Sequence, residues 1–202
     1  MKTDADGDGT IGFLLLEEAT EIGFCGGLLV LNTLGRPLEF HCAAPIRPNR
    51  GQRILFGESL KPYLLNEIIG PALLAKSASP PHILVVADLA GWSLAGQVAA
   101  PLICVELAPQ VSGNFSEHRE AANPQFPASP LPTSDPFWQP LQLAGQFLRL
   151  ACQSRDAEQT IQKYLAPLAT RLPLVEPFER IRQALAEAHA MAESQAGALA
   201  AA

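Results

Sequence analysis

Residues 83–105 run ILVVADLAGWSLAGQVAAPLICV, and two readings of them have very different consequences. As one segment they are long and apolar enough for a transmembrane helix, which needs roughly 20 such residues. As three they are a strand from Ile83 to Ala87, a crossover containing Gly91 and Gly96, and a second strand from Leu102 to Val105 set off by Pro101. The second reading fits better. Strand formers sit at the two ends and small residues between them, and a strand buried on both faces of a parallel sheet is continuously apolar without any membrane. Asp88 would also cost about 2.5–3.5 kcal/mol at a bilayer centre. The stretch therefore predicts two parallel strands inside an α/β sheet, and no membrane.

Towards the N-terminus, residues 11 to 17 predict a first strand, and Gly26 to Leu31 a second that is apolar on both faces and so central. Asn32, Thr33, Leu34 and Gly35 supply a turn. Beyond it Leu38, Phe40 and Cys42 alternate with Glu39 and His41, the period-two signature of a strand with one wet face. The pair predicts a β-hairpin. After Pro45 and Pro48 the pattern becomes helical, with Asn49 to Phe56, then Leu60 to Ile69 behind Ser59 as N-cap, then a short helix from Pro71. Leu60, Leu64 and Ile68 would form the buried stripe of the middle piece.

On the other side of residues 83–105 the composition changes. Seven prolines fall between Pro109 and Pro140 among Ser, Asn, Gln and Thr, which predicts a linker without regular structure. Helices are expected over 141–154, 157–172 and 176–192, followed by an Ala/Gly-rich tail. In the last helix Phe178, Ile181, Leu185 and Ala188 share one face. The expected organisation is an acidic flexible tail (1–10), an α/β domain (11–108), a Pro-rich linker (109–140) and a helical annex (141–202). Strands and helices in this order fit a three-layer α/β fold, its mixed sheet opening with a β-hairpin. Ribonuclease-H-like topology is the working form and a generic Rossmann-like sheet the alternative, and neither carries a function by itself.

Composition bounds the rest. The 202 residues suffice for one substantial domain with an annex, and 48% hydrophobic residues imply a packed core. Twenty Asp and Glu against 14 Lys and Arg give a formal net charge of −6, which disfavours a broad grip on nucleic acid or anionic lipid. The acidic start and short apolar run do not make a signal peptide. Cys25, Cys42, Cys104 and Cys152 are widely spaced with no CxxC pair, so reduced thiols in a cytoplasmic protein are expected. His41 and Cys42 are neighbours on a strand and face opposite ways, so no metal site is expected there, and no cofactor anywhere.

Four groups of residues could carry chemistry or contacts. Asp4, Asp6, Asp8, Gly9, Thr10 and Ile11 resemble the opening of an EF-hand calcium loop, but Leu15 stands where the closing bidentate Glu is needed, and calcium would be held weakly if at all. Arg47, Arg50 and Arg53 lie three apart at a helix start, suited either to an anion or a partner's carboxylates, or to surface pairs with Glu39, Glu58 or Glu67. Asp88 closes an apolar strand where α/β sheets often bind ligands. With Glu17 or Glu18 it could hold Mg²⁺ for a nuclease or phosphatase, although no carboxylate sits inside the first strand. Phe178, Ile181, Leu185 and Trp138 are candidate interface residues, to be covered by the chain's own sheet or by a partner. There is no nucleophile elbow, no phosphate loop and no histidine in a catalytic pattern. The expectation is a non-enzymatic accessory module working through a protein partner, with the metal-dependent nuclease second and calcium binding third.

Overall fold

Apolar side chains on both sides of an extended run need two covering layers, and that requirement organises this molecule. The computed structural model describes residues 9–19, 22–87, 93–105, 138–151 and 157–200. Their strands are β1 (Thr10–Ala19), β2 (Gly23–Asn32), β3 (Pro37–Cys42), β4 (Ile83–Val86), β5 (Leu102–Cys104), β6 (Trp138–Leu143) and β7 (Gln146–Ala151). They form one seven-stranded mixed sheet in the order β3-β2-β1-β4-β5-β7-β6. β1 pairs antiparallel with β2 and parallel with β4, Phe13 lying opposite Leu29 and Val85. β4 and β5 are parallel neighbours, as residues 83–105 predict, and among the described residues no helix is long and apolar enough to cross a membrane.

The helices are α1 (Arg50–Phe56), α2 (Leu60–Pro62), α3 (Gly70–Lys76), α4 (Ala157–Thr160), α5 (Ala166–Ala169) and α6 (Glu176–Ala200). π-helical turns Tyr63–Ile69 and Ile161–Leu165 join α2 to α3 and α4 to α5. Alternate sheet residues feed two separate cores. Ile11, Phe13, Leu15, Val85 and Ile103 pack with Ile161, Leu165, Leu168, Phe178, Ile181 and Leu185 from α4 to α6. Leu14, Leu28, Val30, Leu84 and Val86 pack with Leu60, Leu64, Leu65, Ile69 and Leu73 on the opposite face. The result is helices, sheet and helices in three layers, and each fully buried large side chain stabilises it by about 1.5–3 kcal/mol.

The β2–β3 hairpin turns where predicted. Gly35 takes a φ of 80°, and the Asn32 side chain accepts hydrogen bonds from the amides of Leu34 and Arg36. Three local expectations are corrected. Residues 141–151 are strand rather than helix: Ala144 and Gly145, both at positive φ, turn the chain between β6 and β7, and β7 then pairs with β5. The strands of the single sheet thus come from both sides of residues 109–137. The buried stripe of the α2–α3 run is Leu60, Leu64, Leu65, Ile69 and Leu73, while Ile68 is exposed. The wide turn advances the face by one residue, closing with Gly70 N–H on the Leu65 carbonyl. A proline follows each π stretch by two residues, Pro71 and Pro167. The widened turn accommodates a ring that cannot donate and would crowd the carbonyl four residues back. Ser59 is not an N-cap: its backbone is helical and its hydroxyl donates to the Phe56 carbonyl.

Candidate functional site

Residues 46–57 form a surface segment held to the sheet at its start. Ile46 bridges Phe24 on β2, and the Arg47 Nε donates to the Ile22 carbonyl at 3.0 Å. Asn49 then caps α1 reciprocally with Gln52, each side chain accepting from the other's amide at 2.9 Å. Arg53 reaches Glu18 on β1 at 3.4 Å and stands over the Phe24 ring. Gly57, at a φ of 53°, ends the helix with its amide on the Arg53 carbonyl.

A helix fixed in this way normally buries something, yet no residue of α1 is buried. Ile54 is 70% exposed, Leu55 85% and Phe56 40%, and Phe56 stacks on Tyr63 with ring centroids 5.1 Å apart. Ile68 adds a further exposed apolar side chain on the following helical run. Arg50, on the same helical face as Ile54 four residues on, makes no ion pair among the described residues, and neither does Lys61. The site is therefore an apolar platform with cations beside it.

The three arginines do different things. All three are exposed, but Arg47 and Arg53 tie the segment to the end of the β1–β2 hairpin, while Arg50 makes no ion pair among the described residues. Glu17 and Glu18 are separated by the strand geometry, as adjacent strand residues must be. Glu17 meets Arg182 of α6 at 3.1 Å, while Glu18 meets Arg53. Asp88 lies outside the described residues, as do Asp4, Asp6, Asp8, Cys152 and most of the Pro-rich stretch. Phe178 and Ile181 are fully buried and Leu185 nearly so, covered by the chain's own sheet, with the Phe178 ring edge-on to Phe13 at 5.6 Å. Trp138 begins β6 and is buried in the other core, its indole N–H finding no acceptor among the described residues.

A second cluster lies on β3. The Glu39 carboxylate accepts from the amides of Ala78 (3.0 Å) and Ser79 (3.1 Å), from the Ser77 hydroxyl (3.2 Å) and from His41 Nε2 (3.0 Å). The hydrogen bond with His41, reinforced by the Ala78 amide and the others, outweighs burial and lowers its pKa to about 2. The face of β3 expected to be wet is therefore partly covered, because the α3–β4 loop faces Glu39, while on the apolar face Cys42 packs on the core and Leu38 is 51% exposed. Elsewhere, burial pushes the Cys25 thiol up to about 11. Among the described residues no three His, Cys, Asp or Glu side chains are grouped to hold a metal ion. A hollow of about 240 Å³ between Val98, Pro101, Leu102 and Ala151 is lined by no side chain with a polar atom.

Neither Ile54–Phe56 nor the Glu39 cluster follows from the helix and strand patterns alone. The signal for the first is three consecutive large apolar residues in a helix too short to bury them all. For the second it is an acidic residue two before a histidine, which gives no hint of Ser77. No protein-family model matches the chain, and no curated protein matches it.

Proposed function

We propose that the chain is a non-enzymatic protein-interaction module, an accessory component of a larger cytosolic assembly, and that it docks through α1. One observation carries the reading: α1 is capped and tied down, buries none of its residues, and displays Ile54, Leu55 and Phe56. Exposed apolar patches of several hundred Å² on a folded protein are characteristically interaction sites. The core does not use these side chains, and a partner that covers them would gain their burial. The test is affinity capture from the native host with the wild-type chain and with an Ile54→Ser, Leu55→Ser double variant as baits. Partners retained by the first and lost by the second are expected, and identical partner sets would refute the role of α1.

A second reading, a divalent-metal-dependent nuclease or phosphatase of ribonuclease-H-like type, draws support from the strand order. In β3-β2-β1-β4-β5 only β2 runs against the rest, and β1, β4 and β5 bring their C-terminal ends to one edge, a common ligand position in α/β sheets. Mg²⁺- or Mn²⁺-dependent phosphodiester cleavage lost in Asp88→Ala would establish it, and no cleavage by the parent protein would remove it.

A further inference from the structure

We infer that the occupant of the α1 platform is a short acidic and apolar protein segment, an inference resting on the reading of α1 as a docking surface. The first argument is charge segregation. Residues 47–67 contain Arg47, Arg50, Arg53 and Lys61 against Glu58 and Glu67, a net positive stretch in a chain whose formal net charge is −6. Arg53 is half exposed even while paired with Glu18, and Arg50 and Lys61 make no ion pair among the described residues. These cations stand in the same short stretch as the apolar side chains, so a ligand that covers Ile54, Leu55 and Phe56 meets positive charge at its margin. Carboxylates there gain attraction and steering without having to be buried.

The second argument is area. Two well-exposed aliphatic side chains, with Phe56 40% exposed, offer on the order of 300–400 Å² of apolar surface, less than half of what each partner gives in a standard protein–protein interface. That suits a peptide or a single helical segment better than a second folded copy. A symmetric contact between two copies would also place the α1 cations of one against those of the other, which is unfavourable. An anionic bilayer would satisfy the same cations, but the remainder of the chain is strongly acidic and would be repelled from it.

The experiment selects a random 12-residue peptide display library on the wild-type protein at low salt and counter-selects on the Leu55→Glu variant. Because Leu55 is 85% exposed, that variant retains its fold, which a thermal melt verifies. Enrichment of peptides carrying two or more Asp or Glu beside large apolar residues is expected. Their affinity should fall at least tenfold in Arg50→Glu and also weaken with added salt. Enrichment of apolar peptides with no acidic bias, indifferent to Arg50→Glu, would overturn the acidic occupant while leaving α1 as a docking surface. Failure to enrich any Leu55-dependent peptide would overturn both. Sedimentation of the wild-type protein, but not Leu55→Glu, with phosphatidylserine vesicles in the absence of peptide binding would replace the protein segment by a membrane.

Discussion

Replacing Phe178 by Ala tests the packing of α6 on the sheet. Phe178 is fully buried, meets Phe13 edge-on at 5.6 Å, and belongs to the core that joins β1, β4 and β5 to α4, α5 and α6. Truncation removes the transfer free energy of the ring, loses an aromatic contact of about 0.5–1.5 kcal/mol, and leaves a cavity between elements that cannot easily collapse. The total is about 3–5 kcal/mol. With a urea m-value of about 2–3 kcal/mol/M, the unfolding midpoint should fall by about 1–2.5 M. The assay is urea titration followed by circular dichroism, with Leu55→Ala as the control. Leu55 is 85% exposed, and its truncation should change stability by no more than about 0.5 kcal/mol. A midpoint shift below about 0.3 M for Phe178→Ala at unchanged m, or equal shifts for the two variants, would refute the assignment of Phe178 to the core and of Leu55 to the surface.

Other outcomes follow from the same geometry. Glu39 has its folded pKa lowered to about 2 from an ordinary 4.5, so its contribution to stability is complete above about pH 4.5 and is lost as pH falls towards 2. Denaturation series at several pH values in that window should show a shallower pH dependence for Glu39→Gln than for the parent, and parallel curves would contradict it. A Cβ on Gly27 would stand 2.7 Å from the Ile181 side chain, so Gly27→Val should force α6 off β2 and cost about 1–3 kcal/mol, read as a lowered melting temperature. Cys25 and Cys104 are buried, and burial raises the Cys25 thiol to about 11. A thiol reagent at pH 8 should therefore modify neither until denaturant is added, as peptide mass mapping would reveal.

Much of the sheet was legible because its strands obey simple rules. β1, β2 and β4 are apolar on both faces, and both of their faces are covered by helices. The β2–β3 turn was legible from Asn32 and Gly35, whose chemistry matches the conformation they adopt. β6 and β7 were not, because Leu, Gln, Ala and Arg favour helix by local propensity, and Ala144-Gly145 lacks the Asn-Gly or Asp-Gly that announces a tight hairpin. Pairing with β5 overrode propensity there. Ile68 was misplaced because a 3.6-residue period cannot anticipate a turn that closes on the fifth residue. At the candidate site, the sequence marked the arginines but not their separate fates, since Arg53 finds Glu18 from 35 residues away and Arg47 finds a main-chain carbonyl. Periodicity carries no information about such distant partners. Glu39 is the same case: its donors, Ser77, Ala78 and Ser79, lie about 40 residues on.

The attachment of the β6–β7 hairpin bears on how the molecule assembles. Among the described residues six pairs align β6 with β7, and two, Ile103 with Leu150 and Cys104 with Arg149, align β7 with β5. Bringing those two segments together closes a loop of about 45 residues, at an entropic cost of about 3 kcal/mol beyond the constant term. The β1–β2 and β2–β3 turns are much shorter and close early by comparison. Among the described residues the hairpin is thus joined to the rest of the sheet by a narrower seam than the one between its own strands. Amide hydrogens of Leu148 and Leu150 should exchange through local opening long before those of Phe13 or Val30, which are released only when the whole sheet comes apart.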